Sequence, residues 1–440
     1  MGRDKIYQDD WRYDLIKPWV DVNIKHSYRK CQIHGEENIP TDGAVLLAPN
    51  HCNTLMDALV MLRAYKKQTV FGARADIFNK RLIAEFMTFA RILPMVRQRD
   101  GLRNVLKNKD TQEIIVETLE NSIRFCMYPE GTHRARHSLQ VLGKGVFRAA
   151  LAANEKFGSE KPIYIVPVGI EYGDYFRYRS TSLVNYGKPI NVTEFIKNLE
   201  FDNEAQIMDA LRKELSTRMV ELFTYFKFDE NYDEKWALTK MVAIRDRKKG
   251  YGEFGTDLYE DMMLNRSIAA DIEKAMEEHP EEMAKILAEV KEFEKKRKKA
   301  GISIYSFKKK SSPVLSVIGK GIAALLGLPY FLYSAVTTLP MWATAFLIRG
   351  KVKDKAFRNT VSFGVKLAMT TILLPIYTVL AFIFAPWWLA LTMLLLWIPA
   401  YSFFHDYLEG CRRWFSDIKL LCKHKLWKKF KGIVKEYKKL

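Results

Sequence analysis

Short apolar runs alternate with helical stretches over the first part of the chain. Residues 44–48, 69–73, 125–128, 163–170 and 183–186 read as buried strands. Between them, residues 80–90, 111–121 and 145–156 carry apolar positions at helical spacing. A further helical pattern runs from Trp11 to about Ile24, interrupted by Pro18, and the turn-like Pro40-Thr41-Asp42-Gly43 precedes the first strand. Strands alternating with helices predict an α/β domain over residues 1–200.

The pattern then changes twice. Over residues 201–310 apolar and charged residues mix at helical period, in 205–226 and again in 267–298, which predicts a solvated helix or helical hairpin without chemistry of its own. Residues 321–348 then hold 28 positions without a formal charge, and 367–404 hold 38 more. Apolar runs of about 18 residues or longer are transmembrane candidates, so 311–440 reads as membrane-anchoring helices with a basic tail.

The flanks set the expected topology. Lys308, Lys309 and Lys310 precede the first run, and Arg349, Lys351, Lys353, Lys355 and Arg358 follow it. Residues 405–440 carry eleven Lys and Arg against four Asp and Glu. Basic flanks stay cytoplasmic, so each run is expected to enter and leave on one side, with the α/β domain on the cytoplasmic face. The second run, at about 1.5 Å per residue, is about 57 Å long and suits a hairpin turning near Pro386-Trp387-Trp388. The first is only about 42 Å, too short for two crossings; a re-entrant or interfacial segment and a single tilted pass both fit it.

Composition adds less. The 440 residues hold 70 Lys and Arg against 51 Asp and Glu, a formal charge of +19 that calls for an anionic partner. An apolar share of 48% and a charged share of 28% exclude wholesale disorder and collagen-like repeats. Cys31, Cys52, Cys126, Cys411 and Cys422 are widely spaced with no CxxC, which fits a reducing compartment better than a disulfide framework or zinc cluster. The opening MGRDKIYQDDWRYD has no apolar segment, so no secretory signal is expected. Gly143-Lys144-Gly145 completes neither a phosphate-binding P-loop nor a dinucleotide fingerprint, and His26, His34, His137, His279, His405 and His424 lie in no metal-ligand spacing.

Two strand ends carry candidate chemistry. The first is followed by Asn50-His51-Cys52-Asn53-Thr54-Leu55-Met56-Asp57, where the Asp would hold one imidazole nitrogen and leave the other as general base toward a hydroxyl. Cys52 reads as a packing residue, since a substrate hydroxyl needs no thiol nucleophile. The second element is Tyr128-Pro129-Glu130-Gly131-Thr132-His133-Arg134, a carboxylate and a flexible turn, with Arg134, Arg136 and Lys144 in cationic reach of a phosphate.

Together these elements resemble the glycerolphosphate acyltransferase family, with its His-x(4)-Asp box and later Pro-Glu-Gly-Thr box. Leu93-Pro94-Met95-Val96-Arg97 is similar to the box between them and Val166-Pro167-Val168-Gly169 to the fourth; Gly35-Glu36-Glu37-Asn38-Ile39-Pro40 resembles the lead-in. The resemblance covers about residues 25–195. It departs in two places: five residues rather than four separate His51 from Asp57, and His133 stands where an Arg commonly follows Glu-Gly-Thr. Both departures resemble the branch that includes fungal glycerol-3-phosphate acyltransferases.

The resemblance implies a membrane-bound acyltransferase of phospholipid biosynthesis, with His51 and Asp57 as the catalytic pair. Arg97, Arg99, Glu130, Gly131, Thr132 and Arg134 would bind substrate. Arg97 is the first choice for the acceptor phosphate, and amides near the Glu-Gly-Thr turn are candidates for the oxyanion. No bound cofactor or metal is implied: acyl-CoA or acyl-carrier protein supplies the acyl chain, and 1-acylglycerol-3-phosphate or glycerol-3-phosphate accepts it. The expected partners are these substrates and anionic membrane lipid, not nucleic acid. The competing reading is a non-catalytic, membrane-anchored lipid- or partner-binding protein that retains the acyltransferase fold.

Overall fold

A computed structural model describes residues 6–64, 68–95, 105–200, 203–247, 257–308 and 312–440, with backbone alone at 105–110. The chain divides into two compact units. One comprises Met1–Lys25, Cys31–Tyr175 and Ser182–Tyr225; the other comprises His26–Lys30, Phe176–Thr181 and Phe226–Leu440.

The first unit is built on eight strands: β1 (Lys30–His34), β2 (Ala44–Pro49), β3 (Thr69–Arg74), β4 (Ile92–Met95), β5 (Arg124–Cys126), β6 (Ile163–Tyr172), β7 (Thr181–Tyr186) and β8 (Ile190–Asn191). They form one sheet in the order β1-β7-β6-β2-β5-β3-β4, with β8 also beside β6. β2 runs parallel to β5 and β6, and β3 parallel to β4 and β5, while β7 and β8 run antiparallel to β6. Strands covered on both faces show as continuous apolar runs, and β2 is buried at all six positions. β1 and β4 escape that signal. Lys30-Cys31-Gln32-Ile33-His34 alternates only weakly, and β4 is four residues long with Pro94 inside it.

Helices α1 (Trp11–Ser27), α2 (Leu55–Ala64), α3 (Arg81–Phe89), α4 (Val105–Glu120), α5 (Gly145–Phe157), α6 (Val192–Lys197) and α7 (Glu204–Val220) accompany the sheet. Leu119 of α4, Phe147 of α5, and Leu211 and Leu215 of α7 share one core with Leu46, Phe125 and Ile165. The packing of α7 therefore carries this unit to Tyr225, past the boundary expected at residue 200. The turn after α7 closes directly on β6: Leu222 O accepts from Asn185 Nδ2 at 3.1 Å, and a Cβ at Gly169 would collide with that same oxygen.

The second unit holds α8 (Tyr232–Asp246), α9 (Leu258–Glu278), α10 (Pro280–Lys299), α11 (Pro313–Thr337), α12 (Leu339–Lys351), α13 (Phe357–Phe384), α14 (Trp387–Leu421) and α15 (His424–Tyr437). The pattern at 267–298 is two helices, broken at His279 with Pro280 opening the second. Nor is it merely solvated. Leu238 and Met241 of α8, Ile272 of α9, Val290 and Phe293 of α10, and Phe430 and Ile433 of α15 bury a common core. The basic tail thus spends its apolar face inside the protein, leaving Lys425, Lys428, Lys431 and Lys435 exposed.

By length and composition α11, α13 and α14 are able to cross a membrane. The second apolar run is a helical hairpin bent at Ala385-Pro386, where the turn was expected. The first is not one continuous pass, because it breaks at Thr338 into α11 and α12. α11 runs antiparallel to α14: Tyr407 OH donates to Ala324 O at 2.8 Å and Trp414 Nε1 to Val317 O at 2.9 Å. At the end of α11, Thr337 O accepts from Tyr377 OH at 3.0 Å and from Trp397 Nε1 at 3.4 Å. α12 then turns back, with Met341 against Met369 and Leu373.

Just beyond the apolar half of α14, cations gather on two carboxylates. Arg179 grips Asp406 with both Nε (3.1 Å) and Nη2 (2.8 Å), and Arg29 adds a contact at 3.0 Å. Arg177 and Arg413 meet Glu409 at 2.7 and 2.8 Å.

Gly169 provides a direct check of the β6 packing. Gly169→Ala is expected to destabilise the chain by about 1–3 kcal/mol, the scale of overpacking against fixed backbone. Thermal unfolding of the purified protein would show it; an unchanged midpoint would refute the close approach to Leu222.

Candidate functional site

The site stands where β2 ends beside β6. Pro49 is in register with Val168, and Asn50 prolongs the pairing by side chain: its Nδ2 donates to Ile170 O at 3.1 Å and its Oδ1 accepts from Ile170 N at 2.6 Å. With Asn50 fixed, His51 leaves the sheet at a defined point. Asp57 sits in the first turn of α2 and is fully buried, with 0% exposure. Its Oδ2 meets His51 Nδ1 at 2.7 Å and accepts the amides of Cys52 (2.8 Å) and Asn53 (2.7 Å). Its Oδ1 accepts Tyr172 OH at 2.8 Å. Both oxygens of this buried carboxyl group are therefore met by hydrogen-bond partners.

The extra residue between His51 and Asp57 is absorbed by the backbone. Thr54 has φ 51°, in the left-handed region that a β-branched residue seldom enters. Asn53 O and Thr54 O then accept Met56 N (3.0 Å) and Asp57 N (3.3 Å), which starts α2 in time to bring Asp57 back under the imidazole. Strain of this kind costs about 1–3 kcal/mol and persists where surrounding contacts impose it.

The second element closes over the first. Met127 N donates to Leu47 O at 3.0 Å, and Tyr128 lays its ring 4.4 Å from His51, tilted by 31°. Glu130 Oε1 accepts the amide of His51 at 2.8 Å, and its Oε2 accepts Gln140 N at 3.1 Å. Burial pushes the Glu130 carboxyl above its usual range, against these hydrogen bonds, which pull it down. Gln140 and Thr132 bond reciprocally, Gln140 Nε2 to Thr132 O at 2.7 Å and Thr132 Oγ1 to Gln140 Oε1 at 3.1 Å. Glu130 and Thr132, expected to bind substrate, make these hydrogen bonds to the His51 amide and to Gln140.

Gly131 has φ 65° with open space around its Cβ position. Its amide donates to Tyr128 O at 3.1 Å, and those of His51, Cys52 and Asn53 are taken too, so these four amides are not open to an oxyanion. Arg134 is exposed and joined to His51 by its backbone, N to His51 O at 3.0 Å. The His133 ring stands 5.6 Å from His51, edge-on. Arg97 and Arg99 lie outside the described residues. Among the described residues no group of three His, Cys, Asp or Glu is arranged to hold a metal ion.

Sequence reasoning passed over four residues around this site: Tyr128, His137, Gln140 and Tyr172. Tyr172 was within reach of the pattern, because period two along β6 puts it on the same face as Val168 and Ile170. Nothing local marks Gln140. His137 is buried with Nδ1 3.2 Å from Glu171 Oε1, a pairing across 34 residues that spacing cannot reveal.

Cys52 directly follows His51. Burial pushes its thiol well up, and Asp57, Glu130 and Glu171 add to the rise, so it stays a thiol rather than a nucleophilic thiolate. Iodoacetamide at pH 8 is expected to alkylate the exposed Cys422 and to spare Cys52 in the folded protein, as read by peptide mass spectrometry. Equal labelling of the two would contradict the buried thiol.

No curated protein matches the chain. Among solved structures it is similar to the 1-acyl-sn-glycerophosphate (LPA) acyltransferase PlsC from Thermotoga maritima. That likeness has 15% identity and a TM-score of 0.33, and covers 48% of this chain and 83% of that one. The model of the acyltransferase family matches residues 30–171, a span that holds all four boxes read from the sequence. The similarity to the acyltransferase family thus rests on this one segment of the α/β unit.

Proposed function

We propose that the chain is a membrane-bound O-acyltransferase that moves a fatty acyl group from an acyl thioester to a glycerol-phosphate acceptor. The observation that carries this reading is the His51–Asp57 pair, closed at 2.7 Å in spite of the longer spacing, within an acyltransferase domain. With Nδ1 held by Asp57, Nε2 is the nitrogen left to take a proton from the acceptor hydroxyl. The hydroxyl oxygen attacks the thioester carbonyl, and a C–O bond forms. The tetrahedral oxyanion then collapses, the C–S bond breaks, and the thiolate leaves with the proton returned by His51. Asp57 stabilises the imidazolium between these two transfers.

The acceptor is 1-acylglycerol-3-phosphate or glycerol-3-phosphate, and the donor is acyl-CoA or acyl-carrier protein. No bound cofactor takes part in this scheme. Arg134 and Arg136 lie on the loop tied to His51, where a guanidinium suits a phosphate; Arg97 and Arg99 remain candidates from sequence for the same role. The membrane helices fit an enzyme whose product partitions into lipid.

The packing of the helices supports one topology. α13 and α14 form the crossing hairpin, and α11 with α12 enters beside it, turns at Thr338 and returns. The chain before Pro313, residues 352–356 and the tail then share the cytoplasmic side, and their Lys and Arg face anionic headgroups.

His51→Ala is expected to lose acyl transfer by about 10²-fold or more, the contribution of a positioned general base. The assay supplies labelled acyl thioester to membranes holding wild type or variant, with each acceptor in turn. Full activity in the variant would sink the His–Asp mechanism, and wild type using neither acceptor would sink the substrate assignment. Reporters fused at Leu440 and inserted near Lys353 are expected on the same side of the membrane; opposite sides would overturn the re-entrant turn.

A further inference from the structure

Tyr172 closes β6, outside every box that carries the family resemblance, and it is 3% exposed. Its hydroxyl donates to Asp57 Oδ1 at 2.8 Å. The two carboxylate oxygens are thereby divided. Oδ2 receives His51 and two backbone amides, whereas Oδ1 receives the phenol and, at 3.6 Å, the weak Cys52 thiol donor.

The phenol is itself held from several sides. Its backbone is in register with Ser182 of β7, and the Tyr175 ring lies edge-on at 6.0 Å. Tyr175 OH in turn meets His137 Nδ1 at 3.1 Å, and His137 faces Glu171, whose Oε2 accepts Thr224 N at 2.9 Å. A strand-held phenol is a stiff donor, and a hydrogen bond to a carboxylate is stronger than one between neutral groups.

We propose that Tyr172 is a positioning residue for the acyl-transfer reaction, a role that rests on the acyltransferase reading above. By binding Oδ1 it blocks rotation of the Asp57 carboxylate about Cβ–Cγ and keeps Oδ2 aimed at His51 Nδ1. It also draws charge toward Oδ1, away from the oxygen that faces the imidazole. Without the phenol, Oδ1 is buried with only a thiol as partner. An unsatisfied buried oxygen favours turning the carboxylate at the expense of the His51 contact.

Tyr172→Phe removes one oxygen and preserves the ring and the strand. In the full-length protein it is expected to lower kcat by about tenfold or more, the scale of one hydrogen bond to a charged group, with KM for donor and acceptor within about twofold. The same change made on top of Asp57→Asn is expected to cost little further, because Tyr172 acts through that carboxylate. An equal loss in both backgrounds, or a rise in KM at constant kcat, would overturn the positioning role. Where Asp57→Asn shows no activity above background, the kcat-against-KM split in the otherwise wild-type protein decides. Wild type without acyl transfer brings down the acyltransferase reading itself, whereas active wild type and an equally active Tyr172→Phe brings down this inference alone.

Discussion

A polar side chain taken out of water must be met by hydrogen-bond partners, and in this protein that requirement falls hardest on Asp57. It has no exposure, and its two oxygens gather an imidazole and two amides from the turn after β2 and a phenol from β6. Each donor is in place because of something further away. The amides of Cys52 and Asn53 converge because Thr54 accepts a left-handed backbone. The imidazole is placed because Asn50 locks onto Ile170 and because Glu130 holds the His51 amide. The Glu130 loop is held in turn by Gln140. The segments at 50–57 and 128–134 are thus read better as parts of one hydrogen-bonded frame than as separate ligand sets.

Much of that frame was legible before any coordinates. β2, β3 and β6 show as apolar runs because both faces of the sheet are covered, and the His51 and Glu130 segments fall together because the parallel strands β2 and β5 present their carboxyl ends to the same side. The roles inside the boxes were less legible. Motif matching assigns Glu130 and Thr132 to substrate, since it records which residues recur and not what they touch. In this chain their polar atoms meet the protein's own backbone and Gln140. The His–Asp contact also could not be settled by counting residues, because one left-handed residue changes the reach of a loop by about as much as one insertion does.

The helical unit shows the same limit in another form. Periodicity located the apolar stripes of α9 and α10 but not their partner, and α15 read only as a basic tail, so a shared core looked like solvated helices. The hairpin of α13 and α14 was readable because length, charge and Pro386 all pointed to one geometry. The break at Thr338 was not, since a run of 28 uncharged residues looks the same whether it continues or folds back. Hydrogen bonds from Tyr377 and Trp397 to Thr337 hold the end of α11 against the hairpin.

The cations around Asp406 and Glu409 bear on how the molecule can be divided. Arg29, Arg177 and Arg179 come from two short segments, 26–30 and 176–181, that interrupt the α/β sequence yet belong to the helical unit. A chain cut after Tyr225 would keep all three guanidinium groups and lose both carboxylates. Such a fragment gains three unneutralised positive charges on loops that normally find their counter-ions on α14. Solubilising the α/β unit by removing the apolar helices would therefore exchange one exposed surface for another, greasy for cationic, unless those arginines were replaced as well.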